Sequence, residues 1–194
     1  NCNFEGVVIG YEDVSALTTY SHNIINCSNY GFCMTESTDR SSHETITSAW
    51  NASDMTNCYN RGKIISNGIS SVCNFGSSSI NSANFYNAGI LKDTISVLMG
   101  KESSTGRNSV ESCYNLKRKG DIYKDSIATN LDLSSFTSGA VTDSLNKFVS
   151  NFNYNDELNP FVPRINYSFE EDFEKIELQE WVQGEDGFPR FKNV

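Results

Sequence analysis

The sequence predicts an all-β fold: a solenoid of short parallel strands over residues 1–139, followed by a small α-helical and irregular C-terminal cap over 140–194. Three observations predict it. A motif of the form Asn-Cys/Phe-x-Asn-x-Gly returns along the chain, and a pattern that returns with variation marks a repeated structural unit. Short runs of β-forming residues flank each copy, as in "HNIIN" and "TITSAW" before it and "VVIGY" and "KIIS" after it. Beyond residue 140 this pattern gives way to a helical stripe.

The copies come in order as Asn1-Cys2-Asn3-Phe4-Glu5-Gly6, Asn26-Cys27-Ser28-Asn29-Tyr30-Gly31, Asn57-Cys58-Tyr59-Asn60-Arg61-Gly62 and Asn84-Phe85-Tyr86-Asn87-Ala88-Gly89. Two degenerate copies share the outline, Val72-Cys73-Asn74-Phe75-Gly76 and Ser112-Cys113-Tyr114-Asn115 with Gly120 displaced. Successive Cys/Phe positions are 25, 31, 15, 12 and 28 residues apart, which fits rungs whose loops vary in length, with some copies on different sides of one coil. Each copy reads as strand, corner, strand. Asn and Gly tolerate φ > 0, and Asn can also bond its own backbone, so the strand bends sharply there without strain. Stacked corners would align equivalent Asn side chains for hydrogen bonding and bring Cys2, Cys27, Cys58, Cys73, Phe85 and Cys113 into a buried column. An antiparallel meander turning at Asn-Gly hairpins is the other arrangement that the pattern allows.

In the cap, Thr142 suits an N-cap, and Leu145, Phe148, Val149 and Phe152 follow at helical spacing. The tail from Phe161 to Trp181 carries enough apolar residues to pack back onto the body. A stack of strands ends in a raw edge, so the cap is expected to cover the open end of the last coil.

The pairing of an apolar, Gly-bounded strand with the motif, as in "VVIGY…NIINCSNYG" and "VLMGK…NSVESCYN", resembles the GLUG-type repeats of bacterial surface and adhesin-like proteins. The segment "SLNKFVSNFN…LQEWVQGEDGFPRF" is similar to the Leu-Asn…Val…Trp…Gly-x-Pro-x-Phe piece that ends such arrays. The resemblance covers about four fifths of the chain. It departs at the insert "MTESTDRSSHETITSAW" and in the long acidic tail. It implies a right-handed parallel β-helix, an extracellular or cell-surface location, and a structural or adhesin-like role. The expected partners are glycans, other surface proteins and adjoining repeats of a larger chain or filament. The chain opens inside a copy of the motif and without Met, so its N-terminal neighbours are expected to have been cut away or to belong to a larger protein.

Composition narrows the chemistry. With 15 Lys and Arg against 24 Asp and Glu, a formal charge of −9, the chain lacks the basic face that nucleic acid requires. No apolar run reaches the length of a membrane span. Two histidines, His22 and His43, stand outside any metal-ligand spacing, so no metal, cofactor or nucleophilic triad is expected. A carbohydrate-active or glycan-binding β-helix is the alternative to a non-catalytic module, and cleavage would need paired carboxylates on one face. The only acidic run, Glu170, Glu171, Asp172 and Glu174, reads as a solvated surface. The cysteines read as buried thiols, with Cys33 and Cys27 the candidates for any bridge. Three sequons mark Asn26, Asn51 and Asn166 as candidate glycosylation sites, of which Asn26, in the corner row, is expected to be blocked.

Overall fold

The computed structural model describes residues 1–11, 14–17, 23–36, 43–45, 54–65, 69–71, 81–92, 95–97, 109–118, 128–155, 159, 161 and 176–193. The fold is mostly β with parallel sheets, as expected, and the described residues include two short helices. The first pass of the chain gives β1 (Cys2–Phe4), β2 (Val7–Gly10) and β3 (Val14–Ser15). The second gives β4 (Asn23–Ile25), β5 (Cys27–Asn29), β6 (Phe32–Thr35) and β7 (His43–Thr45). The third and fourth give β8 (Asp54–Asn60), β9 (Lys63–Ile65), β10 (Ile69–Ser71), then β11 (Asn81–Asn87), β12 (Ile90–Lys92), β13 (Ile95–Val97). The fifth gives β14 (Ser109–Leu116), after which β15 (Thr129–Leu131) closes the series.

Each of the first four passes adds one rung to each of three sheets, and the described strands that follow, β14 and β15, add to the first alone. The first sheet runs β1-β5-β8-β11-β14-β15, with β4 also on β8; the second runs β2-β6-β9-β12 and the third β3-β7-β10-β13. All of these pairings are parallel, so the Asn-Gly corners join strands of different sheets and the antiparallel meander is excluded for them. Aligned residues of the first sheet are 25, 31, 27, 28 and finally 15 positions apart. Loop length therefore varies while register is kept.

Register is kept because a left-handed residue interrupts each long strand at the same point. Asn26, Asn57, Asn84 and Ser112 have φ of 53, 56, 54 and 52°. The pairing of β8 with β11 skips that position, matching Met55 and Thr56 to Ser82 and Ala83, then Cys58 to Phe85. The interruption resets the alternation, so Met55 and Cys58 both face the interior although they are three apart. That interior also holds Ile24, Cys27, Cys33, Ile64, Phe85 and Cys113.

The C-terminal residues form α1 (Leu133–Thr137), α2 (Ala140–Asn151) and an antiparallel hairpin of β16 (Trp181–Gln183) and β17 (Pro189–Phe191). α2 starts two residues before the expected Thr142, which is buried inside the helix; left-handed Gly139, at φ 87°, turns the chain out of α1 and occupies the cap position. The described part of the cap packs on the first sheet, from Ile25 of β4 to Leu131 of β15. Phe136, Val141, Leu145, Trp181 and Phe191 pack on Tyr59 and Tyr86, while Phe148, Phe161 and Leu178 pack on Ile25 and Ala83. The physical reason is that the outer face of this sheet is apolar and aromatic, whereas the flank of β2, with Val7 and Ile9, remains exposed.

Candidate functional site

Two rows of asparagines and one of thiols run across the first sheet. In the corner row, Asn29, Asn60, Asn87 and Asn115 each donate an amide hydrogen to the next member, ending at Asn130, over 2.7 to 2.9 Å. The same side chains accept from the corner amides of Gly31, Gly62 and Gly89 through their Oδ1 atoms. The row begins at Asn29 because Phe4 stands in its place on β1. A second row runs the other way: Asn84 donates to Asn57, and Asn57 to Asn26, each at 2.6 Å. Its outer side is covered by the cap. Asn26 and Asn57 donate to the carbonyls of Glu177 and Gln179, and Trp181 Nε1 donates to Asn57 Oδ1 at 2.7 Å. Asn26 is thereby buried and its amide engaged, so the folded chain cannot take a glycan there. Asn51 and Asn166 lie outside the described residues.

Among the expected column residues, Cys27, Cys58, Phe85 and Cys113 are buried in register. Cys58 Sγ accepts from the Cys27 amide at 3.3 Å, and the neighbouring Cys58 thiol lowers the Cys27 pKa against the opposing effect of burial. Cys2 aligns with Cys27 but is exposed, because β1 is the edge strand of its sheet. Cys73 lies outside the described residues, and the register takes the column from Cys58 directly to Phe85. Cys33, a candidate bridge partner, instead sits in β6 on the interior row Val8–Cys33–Ile64–Leu91. All five described cysteines are thiols and carry no disulfide.

Where the first sheet turns into the second, the motif glycines leave an open groove of about 560 Å³. Its floor is Gly6, Gly31 and Gly62. A Cβ on Gly62 would stand 2.3 Å from the Gly31 carbonyl and 2.5 Å from Asn29 Nδ2, so stacking itself demands glycine. On one side stand the residues before each glycine: Glu5, Tyr30, Arg61 and Ala88. On the other stand the residues after it: Val7, Phe32, Lys63 and Ile90, paired in register. Val7 and Ile90 are 67 % and 46 % exposed. Arg61 lies between the rings of Tyr30 and Phe188, 5.6 and 4.6 Å from their centres, and is bonded to Asp186. Burial would raise the Asp186 carboxyl, but this guanidinium outweighs it and holds it below the usual range. Arg118 closes the far end by donating to the carbonyls of Ala88 and Gly89. It replaces the next corner's amide, which in earlier passes makes that bond, as from Lys63 to Gly31 and Ile90 to Gly62. Lys63 holds its exposed ammonium 5.8 Å from the Phe32 ring centre.

Sequence reasoning did not single out this groove. Its signal was present all the same, in the residues before and after each motif glycine, which the parallel register must bring together in two rows. Among the described residues, no cluster of three His, Cys, Asp or Glu could hold a metal, and no helix is long and apolar enough to cross a membrane. His43 stands in β7, while His22 and the acidic run lie outside the described residues. Comparison of the chain with protein-family models, with curated proteins and with solved structures finds no match.

Proposed function

We propose that the chain is a non-catalytic extracellular module, structural or adhesin-like, whose three parallel sheets are the faces of a right-handed β-solenoid of the GLUG-repeat kind. The observation that carries this reading is the asymmetry of the two flanks. The cap seals the outer face of the first sheet, whereas the glycine-corner groove and the β2 flank present Val7, Ile9, Tyr11, Phe32, Lys63 and Ile90 outward from a rigid, hydrogen-bonded stack. Such a stack displays a surface without having to move. A carbohydrate-cleaving activity would need two carboxylates facing each other across a substrate. The groove is lined by Glu5, which accepts from the Asn3 amide at 2.7 Å, and the nearby Asp186 is committed to Arg61. Adjoining repeats would add to the exposed edge of β1, continuing the same registers. The test is antibody labelling of the protein on intact source cells, with a reducing-end assay on purified chain incubated with polysaccharides. Surface labelling without sugar release is expected. Labelling only after lysis, or release of reducing ends, would overturn the reading.

A further inference from the structure

We infer that the cavity between β14 and α2 is a binding site for a small zwitterion, an α-amino acid with an apolar side chain, whose ammonium meets Glu111 and whose carboxylate meets Lys147. The site lies on the cap side of the first sheet, apart from the glycine-corner groove, and does not depend on where the chain is displayed.

The rows of the first sheet explain why a cavity stands there. Three rows run along its outer face: Ile25, Thr56, Ala83 and Glu111; Asn26, Asn57, Asn84 and Ser112; and Tyr59, Tyr86 and Tyr114. Over β4, β8 and β11 every member of these rows is buried, with the cap packed on the sheet. At β14 each row changes. The neutral row ends in an exposed carboxylate, the asparagine row ends in a half-buried serine, and Tyr114 is half-buried where Tyr59 and Tyr86 are buried. Glu111, Ser112 and Tyr114 form one wall of an open cavity of about 400 Å³, within the range of about 300–1,000 Å³ that small-molecule sites span. The other wall is one face of α2, where Ser144, Lys147, Phe148 and Asn151 follow at i, i+3, i+4 and i+7.

Charge gives the first half of the ligand argument. The ion pairs between described residues are Arg61 with Asp186 and Lys192 with Glu180, and neither Glu111 nor Lys147 takes part in one. Nor does Lys147 pair with Asp143, one turn back on α2. Two opposite charges thus face one space from different layers, each unspent. Such a cavity has no net charge to gather a simple ion, and it favours a molecule that carries both signs. The rings of Tyr114 and Phe148 supply apolar surface for the rest of that molecule.

The second half comes from an acceptor left open. In the inner row Asn26 Oδ1 accepts from Asn57 and Asn57 Oδ1 from Asn84, so the Oδ1 of Asn84 is turned toward the next place, that of Ser112. It is buried there without a donor. The strand wall therefore combines a carboxylate and a hydroxyl with an unfilled acceptor behind them, and it calls for donors, of which an ammonium carries three. The helix wall offers the Lys147 ammonium and the Asn151 amide, which suit a carboxylate. A ligand with one charge serves one wall and leaves the other unserved.

The experiment is a ligand-observed NMR titration of the full chain with phenylalanine and with two analogues that each lack one charge, phenethylamine and 3-phenylpropionate. Phenylalanine should bind with a Kd of about 1 mM or tighter, and each analogue about tenfold more weakly. Glu111 and Lys147 are exposed, so Glu111→Gln and Lys147→Gln should keep the parent melting temperature. Each variant should bind phenylalanine about tenfold more weakly than the parent does and lose one preference. Lys147→Gln should no longer favour phenylalanine over phenethylamine, and Glu111→Gln should no longer favour it over 3-phenylpropionate. Three outcomes overturn the proposal: phenylalanine does not bind at about 10 mM, either analogue binds the parent as tightly as phenylalanine does, or either variant keeps the parent's affinity and both preferences.

Discussion

At Ser112 the backbone is left-handed, at φ 52°, in the place where three earlier passes carry asparagine. Serine tolerates that conformation less well than Asn, and the row stops there: the buried Oδ1 of Asn84 has no donor. Ser112→Asn should relieve both defects and stabilise the chain by about 1 kcal/mol, read as a higher urea midpoint at unchanged slope. An unchanged midpoint would mean that the row is incidental. In the middle of the row, Asn57 bonds Asn26, Asn84, Gln179 and Trp181. Asn57→Ala should therefore cost about 3 kcal/mol or more by stranding buried partners, and Asn57→Gly about 1 kcal/mol less, since glycine keeps the left-handed backbone freely. Thiol chemistry tests the neighbouring column: of the five described cysteines, Cys2 should react in the native state and the buried four only after unfolding. These roles were largely legible in the sequence, because Asn is one of the few residues that both tolerates φ > 0 and bonds along a stack. The exposure of Cys2 was not, since it depends on strand order. Nor was the direct step from Cys58 to Phe85, since the motif-like residues around Cys73 suggested an intermediate rung.

Among the elements, α2 was legible because Leu145, Phe148, Val149 and Phe152 trace one face, whereas α1, a five-residue turn around buried Phe136, is too short to show a period. Where the cap docks was harder to read, for its apolar residues announce burial but not against what. The matching clue lay in Cys58-Tyr59 and Phe85-Tyr86. A strand with apolar residues pointing both ways is buried on both faces, which requires a layer outside the stack. Trp181 binds that layer. Its ring lies 5.5 and 5.8 Å from those of Tyr59 and Tyr86 and 4.5 Å from that of Phe191, and its Nε1 reaches Asn57. Trp181→Ala should cost about 3–5 kcal/mol, while Trp181→Phe, which keeps a ring and leaves Asn57 Oδ1 the Asn84 donor alone, should cost about 1 kcal/mol. Equal losses in denaturant titrations would show that the hydrogen bond, and not the packing, fastens the cap.

At the scale of the whole molecule, stack and cap meet around two phenols, and this makes stability depend on alkaline pH. Tyr86 donates to the Pro189 carbonyl and is fully buried; Tyr59 is buried beside Tyr30, its hydroxyl 2.9 Å from that of Tyr30. Burial, helped at Tyr59 by the hydrogen bond to Tyr30, raises both pKa values above the ordinary tyrosine value, because a phenolate there would lose its water. The sign follows from linkage. Below about pH 10 both states keep these protons and the term is constant; above it the unfolded chain releases two protons that the folded chain retains, so stability falls. The slope should approach roughly 3 kcal/mol per pH unit from the pair. In Tyr86→Phe the hydroxyl's bond is lost at every pH, but one proton leaves the balance and this contribution to the slope should halve. Denaturant unfolding at a series of alkaline pH values, for parent and variant, separates the two effects. A parent curve that stays flat above about pH 10 would mean that water reaches the phenols, and that the cap does not seal the flank on which the two layers join.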